Sequence, residues 1–121
     1  MKIWDELLSR EVEDKEKYKR IFSDLVREVQ KNPKQYIKED VIEKEDYYLV
    51  MEENRAESCF VHVVPKELFM FFNEMRKKVK GILGFSVLVG NVNGKEVRVS
   101  CFGVDCSSLG KSLIKNDNKD T

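Results

Sequence analysis

No stretch of this 121-residue chain has the roughly 18 consecutive apolar residues of a membrane-spanning helix, so none is expected. A signal peptide's apolar centre is missing as well. MKIWDELLSREVEDKEK turns acidic within a few residues, and a cytoplasmic location is the default expectation. An excess of one charge sign is also lacking, since 22 Lys and Arg balance 22 Asp and Glu. Net attraction to nucleic acid or to a membrane surface is therefore not expected, and such binding would need a local patch. His62 is the single histidine, which excludes chemistry that uses two. Gln is scarce in a highly charged composition, a bias reported for hyperthermophile proteins.

The length fits one α+β domain with room for a core. Its organising stretch is Pro65 to Gly81, PKELFMFFNEMRKKVKG. Pro65 suits a first helical position and Gly81 a stop. At about 100° per residue, Leu68, Phe72, Met75 and Val79 fall on one core face, Phe69 and Phe71 flank it, and Met70 points away. Upstream, Trp4, Leu8, Glu11, Lys15, Tyr18, Phe22, Leu25 and Val29 follow heptad spacing. That spacing predicts a helix over residues 2–30, continuous or broken near residue 14. Such a helix either lies across the sheet or pairs antiparallel with a second subunit. Asn32-Pro33 ends it, and the charged stretch from Lys34 to Asp46 reads as a connector with a turn or two of helix.

YYLVME (47–52) and SCFVHVV (58–64) are rich in strand formers and read as one hairpin. Asn93-Gly94 predicts a second with a type I′ turn, which puts Phe85 across from Phe102. On that register Phe85, Val87, Val89, Arg98, Ser100 and Phe102 share one face, and Ser86, Leu88, Gly90, Val97, Val99 and Cys101 the other. The expected architecture is a long N-terminal helix and a ββαββ unit, giving a four-stranded antiparallel sheet covered by helices. Residues 1–104 form the domain and 105–121 a polar tail.

Few residues form a constellation suited to chemistry. Cys59, His62, Cys101 and Cys106 have the right number for zinc, but Cys59 and His62 leave opposite faces of a strand. The three cysteines read as small packed hydrophobes; a Cys101–Cys106 disulfide is possible across the strand end, although a mesophile's cytosol would keep it reduced. His62 reads as a strand residue with one satisfied nitrogen. Gly103-VDCSSL-Gly110-Lys111-Ser112 has six residues between its glycines where a phosphate loop has four. No two carboxylates are paired by spacing. No metal, cofactor or enzymatic activity is therefore expected.

Cations near aromatic residues are the remaining signal. Arg76 and Lys80 share a helix side with Phe69, and Arg98 shares the expected sheet face with Phe85 and Phe102. Aromatic faces beside cations bind single strands by stacking bases and neutralising phosphates. The layout YYLVME, SCFVHVV, PKELFMFFNEMRKKVKG, GFSVLVGNVNGKEVRVSCFG resembles that of the archaeal ThermoDBP-type single-stranded DNA-binding proteins over residues 47–103, in order of elements. The resemblance implies helices paired with an antiparallel sheet around an aromatic cleft. The leading expectation is a non-enzymatic module that binds single-stranded nucleic acid through Phe69, Arg76, Lys80, Phe85, Arg98 and Phe102. The competing one is a homo-oligomeric protein-interaction domain, supported by the heptad spacing and by surplus apolar surface around Phe69, Met70 and Phe71.

Overall fold

A computed structural model describes residues 12, 14–53, 58–78 and 85–106. Helix α1 spans Lys15–Lys31 and is followed by a 3-10 turn, Pro33–Tyr36. Strands β1 (Asp40–Glu43), β2 (Tyr47–Glu53) and β3 (Ser58–Pro65) come next. A second 3-10 turn, Lys66–Leu68, leads into helix α2 (Phe69–Lys78), and β4 (Phe85–Val92) and β5 (Lys95–Cys101) complete the order.

The strands form one five-stranded sheet in the order β1-β2-β3-β5-β4. The α+β class is as expected, but the sheet differs in two respects. β1 lies within the expected connector, and β3 pairs with β5 in parallel, Val61 beside Val99 and His62 beside Ser100. The cause is the path of the chain: β4 is laid outside β5, so β5 returns through the gap between β3 and β4. A parallel pair needs a crossover of this kind, and α2 lies on it.

Register decides which side chains share a face. Asn93 and Gly94 have φ of 54° and 86°, as a type I′ turn requires. Between Leu88 and Gly90 the β4–β5 pairing shifts by one residue, leaving Val89 as an extra residue in the strand. Phe85 therefore opposes Cys101, not Phe102. The slip flips every β4 side chain before the bulge to the other face. Phe85 and Val87 join Val97, Val99 and Cys101, while Ser86 and Leu88 join Arg98 and Ser100.

Each face carries one helix. On the face of Phe85, Val87, Val61 and Val99, α1 buries Tyr18, Phe22, Leu25, Val26 and Val29. Phe22 meets Phe85 edge-on at 6.1 Å. Asp14 starts this helix by accepting a hydrogen bond from the Lys17 backbone N–H at 3.0 Å. The expected helix over 2–30 is thus capped at residue 14, and its earlier part lies outside the described residues. Its heptad stripe packs on its own sheet here, which corrects the subunit-pairing expectation for residues 15–31.

On the opposite face, α2 buries Phe72 and Met75, and the preceding turn buries Leu68. Phe72 packs on His62 at 5.1 Å and edge-on to Phe102 at 5.0 Å. Each fully buried Phe contributes on the order of 1.5–3 kcal/mol. The core face read from the sequence is correct at Leu68, Phe72 and Met75, and Val79 lies outside the described residues.

The chain after β5 stays packed. Phe102, Val104 and Cys106 are buried, and Cys101 is joined to Cys106 by a disulfide. Ordered structure therefore runs past the expected boundary at 104, and two of the three cysteines form a bond instead of acting as free packing thiols. Cys59 is free and buried, and burial pushes its thiol above the usual range.

Candidate functional site

The residues expected to form an aromatic–basic binding face are not brought together. Phe102 has no exposed surface and is wedged against Phe71 and Phe72. Phe85 is half-buried beneath α1, on the other side of the sheet from Arg98. Arg98 Nε lies 3.3 Å from Glu96 Oε1. Arg76 Nε lies 2.7 Å from Glu52 Oε1, with its guanidinium 5.8 Å from the Phe72 ring centroid. Phe69 stacks on Tyr48 at 3.8 Å. Lys80 lies outside the described residues. The open aromatic face inferred from the hairpin register is therefore replaced by two covered faces, because the Val89 bulge and the two helices consume the rings.

Beneath α2 the structure assembles a polar cluster that sequence reading missed. Glu52 on β2 and His62 on β3 face α2, and His62 Nε2 lies 3.3 Å from Glu52 Oε2. Glu52 thus bridges His62 on the sheet and Arg76 on the helix, a pairing that fixes how α2 lies. His62 is fully buried, with Phe60 stacked at 5.6 Å and Phe72 tilted against it. A hydrogen on Nε2 lets the ring donate to that carboxylate, and Nδ1 is its other polar atom. Among the described residues, neither His62 Nδ1 nor the buried Ser100 Oγ beside His62 in the ladder has a hydrogen-bond partner. The signal was available in the hairpin: Glu52 opposes Phe60, so Glu52 and His62 are diagonal neighbours on one face.

The cluster contains Glu, His and Ser, of which His62 and Ser100 have no exposed surface. Cys59 and His62 point to opposite faces, as expected from their spacing. Among the described residues no group of three or more His, Cys, Asp or Glu side chains is placed to hold a metal. None of their helices is long and apolar enough to cross a membrane.

Two polar clefts lie beside the first turns of α1. One, of about 480 Å³, is lined by Asp14, Lys17, Tyr18 and Asp46, and an ion pair fills part of it, Lys17 Nζ to Asp46 Oδ2 at 2.7 Å. Tyr18 OH lies 2.7 Å from the Asp46 carbonyl and 2.9 Å from Glu67 Oε1, tying α1 to the start of α2. The other, of about 230 Å³, lies between Lys15 and Lys19 of α1 and the loop of Gly103, Val104 and Asp105.

The outer surface presents a different kind of feature. Met70 is 77% exposed on α2. Beside it the half-buried Phe69 lies on Tyr48, with Lys66 Nζ 5.8 Å from the Tyr48 ring centroid. Val41 on edge strand β1 is exposed on the same side of the sheet as Tyr48. Glu43 at the rim pairs with Lys66 at 3.2 Å. No protein-family model, no curated protein and no solved structure matches the chain.

Proposed function

We propose that the chain is a non-enzymatic protein-interaction module that self-associates through the outward face of α2. The observation that carries this reading is Met70, an apolar side chain standing 77% exposed on that face. It sits midway between opposite charges, Lys66 four residues before and Glu74 four residues after. A twofold axis through Met70 that runs two helices antiparallel sets each methionine against its copy. The same axis brings Glu74 of the second copy toward the turn that carries Lys66, on both sides. Lys66 already shares Glu43, but that pair is exposed and worth little, so exchanging it costs little. Tyr48, Phe69 and Val41 extend the apolar ground to one side.

The free edge of β1 is a poorer contact. Asp40 Oδ1 accepts from the Val41 backbone N–H at 2.8 Å, which blunts that edge. Antiparallel pairing of Asp40-Val41-Ile42-Glu43 with its copy would also set Asp40 against Glu43, a like-charge clash. Binding of single strands has less support, since its key ring, Phe102, is enclosed and its cations, Arg76 and Arg98, sit on carboxylates.

Light scattering across micromolar to millimolar protein tests the reading. A dimer mass is expected, reverting to monomer in Met70→Glu. Lys66→Glu should weaken the dimer, and adding Glu74→Lys should restore it. A monomer at every concentration overturns the proposal, and labelled oligonucleotide retained at low salt would favour the nucleic-acid alternative instead.

A further inference from the structure

We propose that the Cys101–Cys106 disulfide is a redox clamp on the seat of α2, so that its reduction loosens that helix while the sheet stays folded. The bond closes a short loop, Cys101 to Cys106, at the end of the interior strand β5. Three of the residues inside that loop are buried, and two of them form the socket for the start of α2. Phe102 packs edge-on against Phe72 at 5.0 Å and lies 6.2 Å from Phe71. Gly103, at φ +81°, lies so close to Leu68 that an added Cβ would collide with Leu68 Cδ1. The Phe102 backbone N–H donates to the Val63 carbonyl at 3.2 Å, which ties the loop to β3.

Other fixings of the helix to the sheet include the ion pair of Arg76 with Glu52 and the ring contacts of Phe72 with His62 and Phe69 with Tyr48. A loop that can splay when the bond is cut removes the Leu68–Gly103 and Phe72–Phe102 contacts together. β2 and β3 keep their ladder, in which neither Cys101 nor Cys106 takes part; Cys101 lies opposite Val63 in the separate β3–β5 pairing.

The reductant is a dithiol. One of its thiolates attacks a cysteine sulfur, the S–S bond breaks, and a mixed disulfide forms. Its second thiol then displaces the remaining cysteine. The protein gains two electrons and two protons as two thiols, and the reductant leaves as its cyclic disulfide. Both sulfurs are buried, so attack proceeds through local opening of the loop. Cys59 cannot take part by exchange, because Val61 and Val99 separate it from Cys101 along that face.

The consequence for self-association rests on the preceding reading, but the clamp is tested without it. Denatured, unreduced full-length chain should react with a thiol reagent at Cys59 alone. Native-state amide exchange is then compared with and without dithiothreitol. Amides of α2 should exchange faster by about tenfold or more once the loop closure is released, while those of β2 and β3 change much less. Cys106→Ser should reproduce the reduced pattern without reductant, and the reductant arm stands alone if that variant does not fold. Three reactive thiols in the unreduced chain, or α2 exchange that moves no more than that of β2 and β3, overturns the proposal. If the clamp holds and Met70→Glu leaves the mass unchanged at monomer, the fault lies in the self-association reading alone.

Discussion

Gly103→Ala tests how α2 is seated. Two costs arise at this position and they can be separated. The residue has φ +81°, where an L side chain carries a penalty of about 1–2 kcal/mol. The new Cβ would also run into Leu68 Cδ1, and Leu68 is buried, so its side chain has little room to swing aside. Overpacking of this kind costs about 1–3 kcal/mol. Gly94 is the control, since it has φ +86° and no atom near an added Cβ. Gly94→Ala should therefore lose about 1–2 kcal/mol from backbone strain alone, and Gly103→Ala about 2–5 kcal/mol. Urea unfolding read by linear extrapolation, with the slope unchanged, measures both. Trimming the neighbour supplies the decisive step: Leu68→Val combined with Gly103→Ala should lose less than the sum of the single changes by about 1 kcal/mol. Equal losses for the two glycines, or strict additivity with Leu68→Val, would refute the close packing of the 101–106 loop on the base of α2.

Two further outcomes follow from buried polar groups. Ser100→Ala removes a buried hydroxyl that has no partner among the described residues, so stability should hold or rise by up to about 1 kcal/mol; a loss larger than that would show that the hydroxyl is bonded. Alkaline unfolding should report Tyr18, whose phenol is pushed well above the usual tyrosine range by burial first and by its hydrogen bond to Glu67 second. The fold favours the neutral phenol, so that contribution is complete below the unfolded value of about 10 and is lost as pH rises through the folded value. Tyr18→Phe should flatten the decline in stability above pH ~10, and an unchanged decline would exclude Tyr18 as its source.

The elements were legible where one short-range rule decided them. The spacing of Leu68, Phe72 and Met75 placed the core face of α2 and left Met70 outside, whereas Pro65, expected at a first helical position, closes β3 and precedes a 3-10 turn. Asn93-Gly94 placed the turn of the second hairpin. β1 was not legible because Asp40-Val41-Ile42-Glu43 has only two apolar residues between charges, which is how a strand looks at an edge facing water. The parallel partnership of β3 and β5 depends on where α2 delivers the chain, and neither strand's own sequence encodes it. The faces of β4 were misread for a narrower reason. A glycine inside a strand is a bulge signal, and Gly90 stood where that rule applied; uninterrupted pairing from the turn ignored it.

That single extra residue carries through to the question of function. Without the bulge, Phe85, Arg98 and Phe102 would share a face, and an open aromatic surface would be the natural inference. With it, Phe85 turns to meet Phe22 beneath α1, while Phe102 stays on the other side and closes on Phe72. Both broad faces of the sheet are then occupied by the chain's own helices, and the charges that would have served a ligand hold the layers together, as Arg76 does through Glu52 to His62. A sheet used up in this way leaves contact with other molecules to edges and helix backs. β1 is blunted by Asp40, and Pro33 lies against Gly90 on the other edge strand, β4, at 3.4 Å from where a Cβ would sit. Among the described residues, the most exposed large apolar side chain is on the back of α2, where Met70 stands 77% exposed.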